Sequence, residues 1–300
     1  MSSDLAKNPV GIVGLGIMGG AIGRNLVVAG RRVIGHDIDA ARREEAAAAG
    51  IEIAADAGSL AKNAPAILVS LPNPAALRAT AETIAAAELP RRIVAEMSTF
   101  ALRDKLEAEK TLRGAGHVML DCPISGTGAQ AKAKDLVIYA SGESSAIAAL
   151  EPVFAAFARE THDLGPLGNG TKMKFVANLL VAIHNVASAE AFVLGMKAGL
   201  DPKKIFELVA AGAGTSRVFE LRGPMMAENA YGGANVTMRV STWQKDMTVI
   251  GDFARELDCP TPLLSAAAPI YAAAMANGHA GDDTASVCAV LEAMAGLKRR

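Results

Sequence analysis

The sequence predicts an α/β domain with a parallel sheet, followed by an all-α domain. A long interdomain helix is expected to join the two domains. Up to about residue 164, short apolar runs alternate with amphipathic stretches. Near-continuous apolar strands alternating with helices are typical of a parallel sheet that helices cover on both faces. Beyond a glycine- and proline-containing breaker at residues 165–170, only helical patterns follow.

The chain length agrees with two domains, because a common domain holds about 150 residues and this chain has 300. We place the domains at residues 1–166 and 167–300. Hydrophobic residues make up 51% and charged residues 20%, which is the composition of a folded globular protein. The net charge of −1 and the 4% aromatic content argue against a nucleic-acid partner and against an anionic membrane surface.

The cysteines and two apolar segments bear on the location of the protein. Three cysteines without a CxxC pair indicate neither a disulfide framework nor a zinc site, so we expect a cytoplasmic protein with no metal. Residues 9–23 contain six glycines, which favours a strand, turn and helix over a signal peptide. Residues 176–200 include Asn178, Asn185 and Glu190, which favours a buried helix over a membrane span.

Apolar runs and helical periodicity give the expected elements. Strands are expected at residues 10–13, 32–34, 66–71, 93–96, 117–120, 136–140 and 161–164. Helices are expected between most of these strands, for example at residues 17–29, 74–87 and 101–114. In the second half, helices are expected at residues 170–199, 201–212, 216–228, 241–257, 263–277 and 283–297.

The first strand leads into a GxGxxG turn, which is typical of a dinucleotide site when a helix follows it. Gly14 permits the tight turn, Gly16 lets the backbone approach a pyrophosphate, and Gly19 lets the helix pack close to the sheet. The helix N-terminus offers N–H groups and a positive dipole end to the phosphates. The alternative is a structural glycine-rich turn, which this strand and helix context disfavours.

An acid at the end of the second strand favours NAD over NADP. Asp37 lies 18 residues after Gly19, where a carboxylate can bind the adenosine ribose hydroxyls and repel a 2′-phosphate. Arg42 and Arg43 would instead favour NADP, because an arginine can bind a 2′-phosphate. We interpret them as part of a solvated helix face.

The glycine motif and its continuation resemble the opening of the β-hydroxyacid dehydrogenase family, which includes 3-hydroxyisobutyrate and L-threonate dehydrogenases. The residues that carry this resemblance are Gly14-Leu15-Gly16-Ile17-Met18-Gly19, with Asn25-Leu26 and Gly30. It extends over nearly the whole chain. It implies a Rossmann domain, a long interdomain helix and an all-α domain, with the cofactor bound along Gly14, Leu15, Gly16, Ile17, Met18 and Gly19.

Two strand ends are similar to further cofactor motifs of the family. Leu71 and Pro72 follow one strand, and the resemblance implies that their backbone lines the NAD site. Thr99 ends an acid-x-Ser-Thr motif that begins at Glu96, and the resemblance places it near the nicotinamide ribose. Taken alone, these residues are a strand stopped by proline and a helix N-cap.

Residues 121–128 resemble the substrate loop of the family, whose pattern is DAPVSGG. A serine hydroxyl beside backbone N–H groups suits a carboxylate. The resemblance therefore implies that Ser125, Gly126 and Thr127 bind the substrate. Two residues depart from the pattern, because Thr127 replaces the second glycine and Lys134 stands where a glycine is expected. Taken alone, the octapeptide is a glycine-rich surface turn.

The start of the long helix resembles the family motif GxGxxxKxxNN, which identifies Lys174 as the catalytic lysine. Lys172 and Lys174 point roughly 200° apart on a helix, so only one of them can face the site. Asn178 lies four residues after Lys174 and shares its face, whereas Ala177 replaces the first asparagine of the motif. Taken alone, a lysine in a first helical turn is a solvated residue.

A last motif, at residues 243–246, implies that Lys245 binds the cofactor and that Asp246 supports it through an ion pair. Trp243 fits a pocket wall and a core position equally.

The expected activity is transfer of a hydride between a small (C3–C6) hydroxycarboxylic acid and NAD. Lys174 is expected to shuttle the proton, and Asn178 is expected to orient Lys174 and the substrate. We expect a homodimer or homotetramer, since the family's helices pack between subunits. Alternatives are an imine reductase, which Lys174 disfavours, and a non-catalytic dinucleotide-binding module.

Overall fold

The structure, a computed structural model, describes residues 8–299 of the chain. It contains two compact units, and the division between them falls between Lys174 and Phe175. This division lies inside a long helix that begins at Asn169. The domain boundary expected after residue 166 precedes that helix and stays a prediction.

The first unit is built on a six-stranded sheet in which every neighbouring pair is parallel. The strand order is β3-β2-β1-β4-β5-β6, the order of a Rossmann fold. The four central strands are rich in Val, Ile, Leu and Ala and are almost fully buried, as expected of a sheet with helices on both faces. The strands are β1 (Val10–Val13), β2 (Val33–His36), β3 (Glu52–Ile53), β4 (Ala66–Val69), β5 (Ile93–Glu96) and β6 (Val118–Asp121).

Five helices connect these strands, and three of them begin at a side-chain cap. Asp39, Asp56 and Asn73 each accept a hydrogen bond from a backbone N–H group of the first turn, which satisfies one of the free donors there. The helices are α1 (Ile17–Val28), α2 (Ala40–Ala48), α3 (Ala57–Asn63), α4 (Pro74–Ala85) and α5 (Leu102–Gly114).

The last strands of this unit correct the expectation of a single parallel sheet. They form a separate three-stranded sheet, in which β7 is antiparallel to β8 and β8 is parallel to β9. The chain leaves β6 at Asp121 and turns at Pro123, which has no N–H group to donate to a sheet ladder. The elements are β7 (Ile124–Ser125), α6 (Gly128–Lys132), β8 (Leu136–Ala140), α7 (Ser144–Phe154) and β9 (Ala158–Asp163).

The second unit is helical. Among the described residues after Asp163 the structure has no strand, as the sequence predicts. Its core includes the stacked rings of Phe192, Phe206 and Phe219, whose centroids lie 5.5 and 5.8 Å apart. The elements are α8 (Asn169–Lys197), α9 (Pro202–Ala210), α10 (Arg217–Glu228), a 3₁₀ turn (Gly233–Asn235), α11 (Val240–Glu256), α12 (Pro262–Ala276), a second 3₁₀ turn (Thr284–Ser286) and α13 (Val287–Met294).

Helix α8 is long and apolar enough to cross a membrane by length and composition alone, with a mean hydropathy of 1.6. One such helix is weak support for a membrane protein, because the core helices of soluble proteins share these properties. The buried polar side chains of Asn178 and Asn185 donate to Asp246 and Tyr271 within the helical unit. One face of α8 therefore packs inside the helical unit, and 39% of its apolar window is buried.

A buried carboxylate organises the loops of the helical unit. Asp283 is completely buried and accepts hydrogen bonds from the backbone N–H groups of Thr237, Met238 and Ala285 at 2.8–3.0 Å. Burial favours its neutral form, but Arg222 at 3.3 Å and these N–H groups lower the pKa of Asp283 below its ordinary value.

Replacing Asp283 with Asn should lower the free energy of unfolding by about 3 kcal/mol, because Arg222 and several donors lose a charged acceptor. The contribution of Asp283 is complete above the ordinary Asp pKa of about 3.9 and is lost as the pH falls through its lowered value. Urea unfolding at pH 7 measures the change. The neighbouring Asp282→Asn, at a partly exposed ion pair with His279, should cost less than about 1 kcal/mol. Equal losses in both variants would contradict the role of Asp283.

Candidate active site

The glycine turn between β1 and α1 leaves no room for side chains at two of its positions. Gly14 has a φ of +93°, and a Cβ atom there would lie 2.0 Å from the carbonyl oxygen of Ser70. A Cβ atom at Gly19 would lie 1.9 Å from the carbonyl oxygen of Gly14. Packing of the protein itself therefore requires these two glycines.

Gly16 differs, because a Cβ atom there would meet no protein atom within 4 Å. Its φ of −66° suits any residue, so neither packing nor the backbone requires glycine at this position. Gly16 is also the N-cap of α1 and supplies no side-chain hydrogen bond to the N–H groups of the first turn. Free N–H groups and open space at a helix N-terminus fit a bound pyrophosphate. Of the next residues, Ile17 is largely exposed and Met18 packs partly against the core.

Asp37 holds the glycine turn from the end of β2. Its Oδ2 atom accepts a hydrogen bond of 2.7 Å from the N–H group of Leu15, and its Oδ1 atom accepts one of 2.9 Å from Asp39. Each carboxylate oxygen retains a further lone pair, so ribose hydroxyls can bind without breaking these bonds. The Arg43 guanidinium donates to the carbonyl oxygen of Asp37 at 2.7 Å, whereas Arg42 pairs with Glu45. Arg43 is thus part of the local structure and not only a solvated side chain.

The ends of β4 and β5 are joined by a serine that the sequence reasoning passed over. Ser98 accepts a hydrogen bond of 2.9 Å from the N–H group of Leu71, and its own N–H group donates to Glu96 at 2.9 Å. Pro72 follows Leu71, and Thr99 is partly buried beside Ser98. The acid and the serine of the acid-x-Ser-Thr motif thus organise the strand ends that carry the predicted cofactor residues.

The predicted substrate loop lies against α1, and a Cβ atom on Gly128 would lie 2.5 Å from Cγ2 of Ile17 in its first turn. The Asn25 side chain donates a 2.7 Å hydrogen bond to the carbonyl oxygen of Ala131, which ties α6 to α1. Ser125 lies in β7 opposite Val137, and Gly126 has a φ of +140° that favours glycine. Because α1 also begins at the glycine turn, the predicted substrate and cofactor residues share one region of the unit.

The two departures from the family pattern have local structural roles. Thr127 is the N-cap of α6, and its N–H group donates to Oε1 of Gln130 at 3.1 Å in a capping box. Lys134 has a φ of +58°, in the left-handed region where glycine is favoured. This conformation explains why a glycine is typical there.

The two lysines at the start of α8 differ in burial. Lys174 is 8% exposed, whereas Lys172 is exposed and donates to Oδ1 of Asn169 at 3.2 Å. Buried lysines are uncommon unless they are paired or functional. Lys174 thus faces the protein interior and Lys172 faces solvent, and the role of Lys174 as the functional amine stays a prediction.

Asp246 connects two of the predicted site residues in the helical unit. Its Oδ2 atom accepts a 3.0 Å hydrogen bond from the side-chain amide of Asn178, and its Oδ1 atom lies 3.0 Å from Nζ of Lys245. The ion pair is as expected from the sequence, but the bond to Asn178 could not be predicted because 68 residues separate the partners. Trp243 is buried, with its ring 6.3 Å from that of Tyr271, which is a core position.

Within residues 8–299, no group of three or more His, Cys, Asp or Glu side chains is arranged to hold a metal ion.

Comparison with known proteins assigns both halves of the chain. The family profile for the NAD binding domain of 6-phosphogluconate dehydrogenase matches residues 9–165. A second profile, for the NAD-binding domain of NADP-dependent 3-hydroxyisobutyrate dehydrogenase, matches residues 168–291. The chain belongs to the β-hydroxyacid dehydrogenase family. It is therefore an oxidoreductase with an NAD(P)-binding Rossmann domain and a helical C-terminal domain.

Individual relatives agree with this family assignment. The chain is 31% identical to L-threonate dehydrogenase of Cupriavidus necator, over 93% of this chain and 94% of the relative. It superimposes on a crystal structure of 3-hydroxyisobutyrate dehydrogenase from Salmonella typhimurium with a TM-score of 0.85, at 29% identity and 94% and 99% coverage. An imine reductase from Pseudomonas sp., at 20% identity, 95% and 99% coverage and a TM-score of 0.55, shares the fold alone.

The space at Gly16 gives a direct test of cofactor binding in this β-hydroxyacid dehydrogenase. Gly16→Ala should keep the wild-type melting temperature within a few degrees, because the added methyl group meets no protein atom. It should weaken NADH binding at least about tenfold by blocking backbone approach to the pyrophosphate. Titration calorimetry measures the affinity. Gly114→Ala, at a similarly open position at the end of α5, should change neither property. Unchanged NADH affinity in Gly16→Ala would refute the assignment of the turn.

Proposed function

We propose that the protein is an NAD-dependent dehydrogenase of a small (C3–C6) hydroxycarboxylic acid. Family membership supports the reaction class. The observation that carries the proposal is the buried Lys174, one helical turn before Asn178. The start of this helix packs against the substrate loop, because a Cβ atom on Gly170 would lie 3.0 Å from Cδ of Pro123. An amine at such a position can take part in proton transfer.

The glycine turn, Asp37 and the strand-end residues Leu71, Pro72 and Thr99 would hold the cofactor, with Lys245 as a further contact. Free N–H groups at the start of α1 would bind the pyrophosphate, and Asp37 would accept from the ribose hydroxyls. When bound, the nicotinamide ring supplies the group that accepts or donates the hydride.

Recognition of the substrate carboxylate is assigned to Ser125, Gly126 and Thr127. The Ser125 hydroxyl and the N–H groups of this loop are donors suited to a carboxylate. With a net charge of −1, the protein has no overall positive field to attract an acid, so recognition depends on these local donors.

Lys174 is assigned the proton transfer. Its Nζ atom would accept the proton of the substrate hydroxyl during oxidation and return it to the carbonyl oxygen during reduction. Asn178 would orient Lys174 and the substrate, and Asp246 in turn holds the Asn178 amide in one orientation.

The oligomeric state and the location are further parts of the proposal. Exposed Leu180, Leu194 and Leu208 on α8 and α9 support a homodimer or homotetramer that covers apolar surface. Free thiols at all three cysteines support a cytoplasmic location.

Lys174→Ala should lower kcat about thousandfold while NADH affinity changes less than about twofold, because the variant loses the proton-transfer group alone. Steady-state rates and NADH titration measure the two quantities. Lys172→Ala is the matched control, since Lys172 lies in the same helical turn but is exposed. Turnover by Lys174→Ala at near the wild-type rate would eliminate this mechanism.

The substrate is identified by following NADH formation with C3–C6 hydroxyacids and sugar acids. Cyclic imines are tested in the reductive direction. We expect turnover of hydroxyacids only. Tight NADH binding without turnover of any acid would instead indicate a dinucleotide-binding module.

Asp37→Asn tests the preference for NAD. The asparagine retains an oxygen for the Leu15 N–H group but lacks the charge that repels a 2′-phosphate. The ratio of kcat/KM for NADP to that for NAD should rise about tenfold. This corresponds to a change of about 1.4 kcal/mol in the relative transition-state free energies with the two cofactors. Asp39→Asn, which keeps a cap for α2, should leave the ratio unchanged. A wild-type enzyme that prefers NADP would overturn the assignment of the cofactor.

A further inference from the structure

A buried cluster of three charged side chains lies at the carboxyl ends of two neighbouring strands. Lys105 on α5 places its Nζ atom 2.7 Å from Oε2 of Glu96 and 2.8 Å from Oδ1 of Asp121. The three residues are 2%, 0% and 1% exposed, respectively. A lysine on a helix is ordinarily solvated, so the complete burial of this one requires an explanation.

The charges of the cluster do not cancel among themselves, because two carboxylates face one ammonium group. Burial disfavours the charged amine, but the attraction of Asp121 and Glu96 raises the pKa of Lys105 above its ordinary value. One negative charge is left over. The N-terminus of α8 carries a partial positive charge, lies against the carboxylate of Asp121 and offsets this remaining negative charge.

Two successive residues at the start of α8 are linked to Asp121, Thr171 directly and Gly170 through Ser141. Thr171 donates its N–H group to Oδ2 at 2.7 Å and its hydroxyl group to Oδ1 at 2.8 Å. Gly170 donates its N–H group to the Ser141 hydroxyl at 2.9 Å. That hydroxyl donates to the backbone carbonyl oxygen of Asp121 at 3.2 Å and to its Oδ2 atom at 3.3 Å. A Cβ atom on Gly170 would lie 2.2 Å from the carbonyl oxygen of Tyr139, so the helix start also fits tightly against β8.

These contacts fix both the position and the rotation of the first turn of α8. A shift of one residue along the helix rotates its face by about 100°, which would remove both Thr171 donors from Asp121. Lys174 follows Thr171 by three residues, so the direction of its side chain is set by the same contacts. Apolar residues of similar volume could stabilise a core equally well, but they would not select one rotation.

We propose that Lys105, Asp121 and Thr171 are positioning residues that hold the amine of Lys174 in its working orientation. The inference rests on the proposed role of Lys174. The hydrogen-bond chain also continues through Glu96 and Ser98 to the N–H group of Leu71. One buried network thus connects the start of the catalytic helix with a strand end assigned to the cofactor.

The test compares Thr171→Val, which keeps the side-chain shape but loses the hydroxyl donor, with Thr171→Ser, which keeps the donor. Thr171→Val should lower kcat about tenfold or more with NADH affinity within twofold, because Lys174 is no longer held in place. Thr171→Ser should keep kcat within about twofold, even though its lost methyl group lowers the melting temperature. Thr83→Val on the exposed face of α4 is the control for a threonine that bonds only within its own helix.

A second measurement is independent of turnover. Amide hydrogen exchange of the peptide at residues 169–175 should be about tenfold faster in Thr171→Val than in Thr171→Ser, since the first turn loses an anchor. Equal kcat and equal exchange in the two variants would overturn the proposal. If the wild-type protein oxidises no hydroxyacid, the proposed function fails, and the exchange rates alone decide whether the network fixes the helix.

Discussion

One buried carboxylate, that of Asp121, joins the sheet to the long helix. It ends the last strand of the Rossmann sheet, pairs with Lys105 at 2.8 Å and accepts two hydrogen bonds from Thr171. The backbone of Asp121 also forms an isolated antiparallel bridge with Ser141, the residue after β8. Removing the negative charge would leave the Lys105 ammonium with a single buried partner and the helix N–H groups without an anionic acceptor, each of which is costly in a low dielectric.

The arrangement of the remaining site residues in the first unit follows from the parallel sheet. Parallel strands bring all of their carboxyl ends to one edge, which is where ligands of open α/β sheets bind. Asp37 follows β2, Leu71 follows β4, and Ser98 follows β5. Hydrogen bonds from Leu15 to Asp37 and from Leu71 to Ser98 then fix the loops against each other before any ligand binds. Such preorganisation reduces the entropy cost of binding.

Local patterns in the sequence predict most of the strands and helices, but they do not predict contacts between distant residues. The strands at residues 10–13, 93–96 and 136–140 were predicted to the residue, because continuous apolar runs mark buried strands. Hydrophobic periodicity does not show which strands pair with each other. The sequence analysis therefore does not predict that β7, β8 and β9 form a separate sheet. The burial of Lys105 was missed for a related reason, since its acidic partners lie 9 and 16 residues away in sequence on other elements.

The predicted substrate loop shows how local structure can accommodate a departure from a family pattern. Thr127 is the N-cap of α6, and its hydroxyl group lies 3.4 Å from Oε1 of Gln130. The threonine hydroxyl is therefore engaged in helix capping. Lys134 occupies a left-handed conformation at a cost of roughly 1–2 kcal/mol that a glycine would not incur. Both residues act on the shape of the segment that Asn25 ties to α1. The donors that remain uncommitted in this loop are Ser125 and the backbone near Gly126, so they bear most of the expected carboxylate recognition.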